Sequence, residues 1–321
     1  MSSKKTFCIA TRGSALALAQ ANFILGECRR HFPLEQFELK IIKTTGDKLQ
    51  TASLSQLDST LPRGLFTKEI EDALLSGEAD LAVHSLKDLP TILPDGLKLG
   101  AVGERADVRD VLIYRKSERG TPDPKMEIRD LPRAAIIATS STRRSAQLLE
   151  QRPDLKIVPI RGNVGTRLQK LGDSTEILGI VLAAAGLERL GFAIDVNGFL
   201  YGGGIPAGLR ATQISTEEML PCVGQAALGI EVRENDPRIE NICERLNDLE
   251  TWHCITAERS FLRAMGGGCQ SPVGAYAEAV RGELTMRVVS FVGGSAKYAQ
   301  GKESVAEAVE LGQQLAAELR T

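Results

Sequence analysis

An apolar, strand-like run at residues 134–138 turns into a helical pattern (Ala146, Leu148, Leu149), and the stretch between them is Thr139-Ser140-Ser141-Thr142-Arg143-Arg144. This junction constrains the fold more than any other segment. A helix start carries free N–H groups and about half a positive charge. Two arginines in the first turn oppose that dipole, at roughly 0.3–1 kcal/mol each, unless an anion reverses the sign. The segment reads as a socket for carboxylates or phosphates on a β-to-α turn; a solvated helix start with surface arginines is the plainer reading.

The junction recurs. Arg12-Gly13-Ser14 follows the strand at Phe7-Cys8-Ile9-Ala10, and Ser14 can cap a helix from Ala15 to Cys28. A strand is expected over residues 37–42, a helix over 68–75 ended by Gly77, and a strand over 79–83 followed by Ser85-Leu86-Lys87-Asp88. A second unit opens at Val111-Leu112-Ile113-Tyr114. It has a strand at 157–160 running into Arg161-Gly162-Asn163-Val164-Gly165-Thr166-Arg167, and a strand at 180–183 before a short helix bearing Arg189. This βαβ order implies mainly parallel sheets with helices on both faces. The glycine-rich stretch 198–208 is expected to be a loop; Gly202-Gly203-Gly204 lacks the preceding strand of a dinucleotide fingerprint, and Pro206 spoils the following helix. A third region begins near Leu246, with a helix at 256–262, a Gly-Gly-Gly-Cys turn, alternating strands and a last helix over 304–319.

In open α/β sheets, ligands bind beyond the carboxyl ends of the strands. Five such ends here offer Arg, Lys, Ser or Thr, and arginine outnumbers lysine 25 to 14. Arginine suits planar carboxylates. The absence of a Walker A sequence makes nucleotide phosphate the weaker candidate. A formal net charge of −2 and 4% aromatic content argue against nucleic acid as partner. No apolar run reaches transmembrane length, and no secretion signal is legible, so a cytoplasmic protein is expected. The six cysteines form no Cys-x-x-Cys pair and the three histidines have no metal spacing, so a zinc site is not expected and most thiols should be free and buried.

Two residues stand apart from the cations. Asp88, beside Lys87, is either a salt-bridge or capping group or a carboxylate kept ionised to stabilise a cation. Cys269, in Gly266-Gly267-Gly268-Cys269-Gln270-Ser271-Pro272, is either a buried structural thiol or one projected into a cleft by a glycine turn. A two-lobed binding protein for a small polycarboxylate would need the same arginines but neither of these residues. A phosphate-binding transferase would need the helix ends and no covalent cofactor.

Together these segments, with Gly64-Leu65-Phe66-Thr67-Lys68-Glu69, Val83-His84-Ser85-Leu86-Lys87-Asp88-Leu89-Pro90 and Gly224-Gln225-Ala226, resemble the porphobilinogen deaminase (hydroxymethylbilane synthase) family, in the family's order from residue 10 to about 275. The resemblance implies an α/β fold of three domains. Two are lobes like those of periplasmic binding proteins, at residues 1–107 with 223–245 and at 108–222. The third is a smaller α/β domain at 246–321 carrying Cys269. It implies a transferase that joins four porphobilinogen units head to tail with loss of ammonia, primed by a dipyrromethane bonded through a thioether to Cys269. It further implies a monomer with neither nucleic acid nor membrane as partner.

By the same resemblance Asp88, Lys87 and Arg12 are catalytic, with Asp88 stabilising an azafulvenium-like cation. The cofactor would be held by Ser85, Lys87, Asp88, Thr139, Ser140, Ser141, Arg143, Arg144, Arg161 and Gly162. Substrate would be held by Arg12, Ser14, Phe66, Arg161, Arg167, Arg189 and Gln225. Residues 51–64 are expected to form a mobile lid. Three departures from the family pattern are Ala226 for a usual glycine, Gly266 for a common acidic residue and Thr45 where many members carry arginine.

Overall fold

The computed structural model describes residues 6–46, 67–115, 126–268 and 270–320. The expected lid at 51–64, Phe66 and Cys269 lie outside them.

Strand β1 (Thr6–Arg12) leads into α1 (Ala15–His31), whose N-cap is Ser14: its hydroxyl accepts from the Ala17 N–H at 3.3 Å. Then come β2 (Gln36–Ile42), α2 (Lys68–Leu75), β3 (Leu81–Ser85) and β4 (Leu97–Val102). The chain crosses to a second sheet and forms β5 (Asp110–Arg115), β6 (Ile136–Ala138), α3 (Thr142–Gln151), β7 (Lys156–Val158), α4 (Val164–Asp173), β8 (Gly179–Ala183) and α5 (Ala184–Arg189). A short hairpin, β9 (Ala193–Ile194) with β10 (Leu200–Tyr201), precedes β11 (Leu209–Ile214). The stretch expected to be a loop therefore holds a strand: Leu200 is buried and packs against the second core.

The return crossing delivers β12 (Leu228–Arg233) to the first sheet, followed by α6 (Pro237–Leu246). Neither element was foreseen. The last part is α7 (Leu249–Ala264), β13 (Val273–Val280), β14 (Glu283–Ser290), β15 (Lys297–Ser304) and α8 (Ala308–Arg320). The chain up to Ser304 is strand, so the last helix starts later than residue 304.

The first sheet runs β2-β1-β3-β12-β4 and the second β11-β5-β8-β6-β7. In the first, β1, β2 and β3 are parallel and β12 is antiparallel to both neighbours; in the second, β6, β7 and β8 are parallel and β5 is antiparallel to both of its neighbours. Each sheet is thus mainly parallel, with one reversed strand, and in each that strand is the one entered directly from a crossing. Ile9, Ile24, Phe37, Leu81, Ile230 and Ile242 form the core under α1 and α6, while the second sheet has a separate core on each face. The third sheet, β13-β14-β15, is antiparallel and covered by α7 and α8. Those helices meet at Gly312, where any Cβ would stand 2.3 Å from the Ala257 carbonyl oxygen.

Candidate functional site

The strand ends place the cations as the sequence suggests. Ser85, the last residue of β3, is half-buried and fixed by Gln20 of α1, whose amide donates to its hydroxyl at 2.8 Å and accepts from it at 3.0 Å. Lys87 and Asp88 form a single 3-10 turn beyond it, Asp88 exposed and Lys87 half-buried. Arg12 ends β1 and is half-buried. Ser140 binds the backbone of Ile160 both ways, donating at 2.8 Å and accepting at 3.0 Å, so the ends of β6 and β7 are laced together. Thr139 accepts from the Ser141 N–H, and Ser141 caps α3 through the Arg144 N–H. Arg161 is exposed; Gly162 is left-handed (φ 116°) and its carbonyl accepts from Arg167 Nε at 2.8 Å.

Arg143 and Arg144 correct the simplest version of the socket. Both are buried, and both bind one buried carboxylate, Asp110, at 2.8 and 2.7 Å. Arg143 also donates to the Leu220 carbonyl and Arg144 to that of Val181. The anion expected from a ligand is supplied in part by the chain. Two guanidinium groups against one carboxylate still leave one positive charge, and Arg143 Nε is buried without an acceptor among the described residues. Burial alone would raise the Asp110 pKa; the two arginines outweigh it and hold the carboxyl well below the usual carboxylate range. A carboxylate depressed in the folded state stabilises the fold above its ordinary pKa, and that contribution is lost as pH falls below about 4 toward the folded value. Asp110→Asn should therefore flatten the acid limb of the stability curve between about pH 4 and pH 2. Parallel acid limbs in parent and variant, measured by urea unfolding, would exclude this role.

Arg167 and Arg189 differ from that pair. Among the described residues no carboxylate accepts a hydrogen bond from either: Arg167 donates to the Gly162 carbonyl and Arg189 to that of Ala226. Partial burial pushes both guanidinium pKa values down; for Arg167 neighbouring Arg144 adds to the effect and Asp88 opposes it, and for Arg189 the adjacent Glu188 opposes it. Asp88, beyond the first sheet, thus lies within electrostatic reach of Arg167 on a helix of the second. Half-buried cations with no carboxylate in hydrogen-bond contact are partly desolvated and incompletely compensated.

The two crossings lie side by side. Gln225 is fully buried and donates to the Val108 carbonyl at 2.7 Å and to Asp110 at 3.1 Å. Arg105 donates to the Gln225 carbonyl at 3.0 Å. Glu258 of α7, fully buried, takes both ends of the Arg105 fork at 2.7 and 3.0 Å and also accepts from Gly224 N–H at 2.8 Å and Ala277 N–H at 3.0 Å. Ala226, the departure from glycine, keeps a left-handed backbone (φ 72°), which costs an L-residue roughly 1–2 kcal/mol. Gly266 is left-handed at φ 67° and closes α7, its N–H donating to Arg263, so a glycine suits that departure. Thr45 donates through its backbone N–H to Glu69 at 2.8 Å.

Sequence reasoning missed Gln20, Asp110 and Glu258. A carboxylate ahead of four buried strand residues, and another spaced at i+4 between Cys254 and Leu262, were the available signals.

This geometry defines a class: a mixed α/β protein that gathers Arg, Lys, Ser and Thr side chains at the ends of its parallel strands. Residues 7–241 match the family model described as "Porphobilinogen deaminase, dipyromethane cofactor binding domain", and residues 252–321 match "Porphobilinogen deaminase, C-terminal domain". The chain is 45% identical over 291 residues to the porphobilinogen deaminase of Chlorobium phaeobacteroides, covering 90% of this chain and 84% of that one. It is 42% identical over 313 residues to that of Syntrophomonas wolfei, covering 97% and 94%. Among solved structures, the OxyR regulatory domain of Pseudomonas aeruginosa aligns with a TM-score of 0.41 and 13% identity over 75% of this chain and 94% of that one, a likeness too distant to carry function. The chain belongs to the porphobilinogen deaminase family. It is accordingly a transferase of tetrapyrrole biosynthesis that polymerises porphobilinogen and uses a dipyrromethane cofactor.

Proposed function

We propose that the cofactor is joined by a thioether to Cys269 and lies among the strand ends just described. The observation that carries this reading is the pair Arg167 and Arg189, half-buried cations whose hydrogen bonds among the described residues go only to carbonyl oxygens. The unfilled Arg143 Nε supports the same fit. Ser85, Lys87, Asp88, Thr139, Ser140, Ser141, Arg143, Arg144, Arg161 and Gly162 would hold the cofactor, which when bound supplies the primer for chain extension. Arg12, Ser14, Phe66, Arg161, Arg167, Arg189 and Gln225 would hold the substrate carboxylates. Lys87 and Arg12 act beside Asp88, whose carboxylate accepts from pyrrole N–H groups and stabilises the positive charge left on the substrate when ammonia departs.

The division into residues 1–107 with 223–245, 108–222 and 246–321, the first two being lobes of binding-protein type, is supported by the three larger sheets and two neighbouring crossings. No helix among the described residues is long and apolar enough to cross a membrane. We place the enzyme in the cytoplasm as a monomer with neither nucleic acid nor membrane as partner.

Intact mass of the purified full-length chain tests the cofactor reading. An excess equal to two linked pyrroles is expected, absent from Cys269→Ser. An unmodified parent chain, or an excess that survives the substitution, would refute it.

A further inference from the structure

Helix α3 is fastened at both ends to the C-terminal part. Near its last turn Glu150 accepts from the Tyr298 hydroxyl. At its first residue the Thr142 hydroxyl donates to the Gln270 carbonyl at 2.7 Å. Between these points Ala275 N–H donates to the Pro221 carbonyl at 2.9 Å and Arg287 to the Thr216 hydroxyl at 2.8 Å.

A hydrogen bond positions its acceptor only if the donor is itself fixed, and Thr142 is. The next residue, Arg143, is locked between Asp110 and the Leu220 carbonyl, and the preceding Ser141 caps the helix. The acceptor side is equally defined. Gly268 N–H donates to the Ser271 hydroxyl at 3.0 Å, and Ser271 N–H returns to the Gly268 carbonyl at 2.9 Å. Gly268 and Ser271 are thus tied to each other, and Thr142 ties Gln270 to the helix end that holds Arg143 and Arg144 against Asp110.

We propose that Thr142 is a positioning residue: its hydroxyl holds the Gln270 carbonyl, next along the chain from the proposed cofactor cysteine, against the N-terminus of α3. This rests on the cofactor reading above. It gives the first turn of α3 two tasks on successive residues, Thr142 outward to the turn and Arg143 inward to Asp110.

Amide hydrogen exchange, followed by mass spectrometry on peptides covering residues 266–272 of the full-length protein, tests it. A neutral hydrogen bond is worth about 1 kcal/mol, so Thr142→Val should exchange about fivefold faster in this turn. Thr142→Ser, which keeps the donor, should stay within about twofold of the parent. Equal exchange in parent and Thr142→Val, or a serine variant as fast as the valine one, would overturn the proposal. A parent chain lacking the added pyrrole mass would instead sink the cofactor reading, with the exchange comparison still deciding whether Thr142 seats the turn.

Discussion

Replacing Asp88 by asparagine is expected to lower kcat by roughly 10²–10³-fold, the usual cost of removing a group aimed at charge that develops in the transition state. The substitution keeps the size and the acceptor oxygen and deletes the negative charge. Asp88 is exposed on a one-turn 3-10 element after β3, so little packing depends on it, and thermal stability should stay close to that of the parent. The loss should fall on kcat more than on KM, because the arginines proposed to bind substrate remain. Steady-state rates with porphobilinogen decide the matter: a variant within threefold of the parent would remove Asp88 from the mechanism.

The second large effect is structural. Glu258→Gln should destabilise the protein by about 3 kcal/mol, because it deprives the largely covered Arg105 of its counter-charge inside the fold. Burial alone would lower the Arg105 pKa; Glu258 more than reverses that, so Arg105 stays charged and needs its partner. Four hydrogen bonds converge on this carboxylate, from Arg105 (two), Gly224 and Ala277. A fall in Tm on the order of 10 °C is the expected reading. A variant melting within 2 °C of the parent, roughly the shift that 1 kcal/mol produces, would show that the clasp contributes little.

The parts legible in the sequence were those set by neighbours along the chain. Ser14, Ser141 and Asn163 cap helices at the β-to-α junctions, each through a side-chain acceptor within three residues. The cations at the strand ends followed, since a strand meeting a helix fixes where its last residues point. What stayed hidden depends on distant pairing. Asp110 meets Arg144 across 34 positions, and Glu258 meets Arg105 across 153. A buried acid looks like any acid until its partner arrives, so a socket that seemed to await a ligand proved half-filled. Strand β12 was missed although Leu228, Ile230 and Val232 alternate with Gly229, Glu231 and Arg233; both faces are buried, Glu231 included, and its place between β3 and β4 is set by a return crossing 125 residues or more after those strands leave.

Gly224 has a consequence for how the enzyme can move. A side chain there would press on the backbone of Leu86 and Lys87, at 3.3 and 3.2 Å. The return crossing therefore rests directly against the turn that carries Asp88. A displacement of this crossing would carry the carboxylate proposed to act on the substrate with it or press on it, so the position of Gly224 and the aim of Asp88 are coupled.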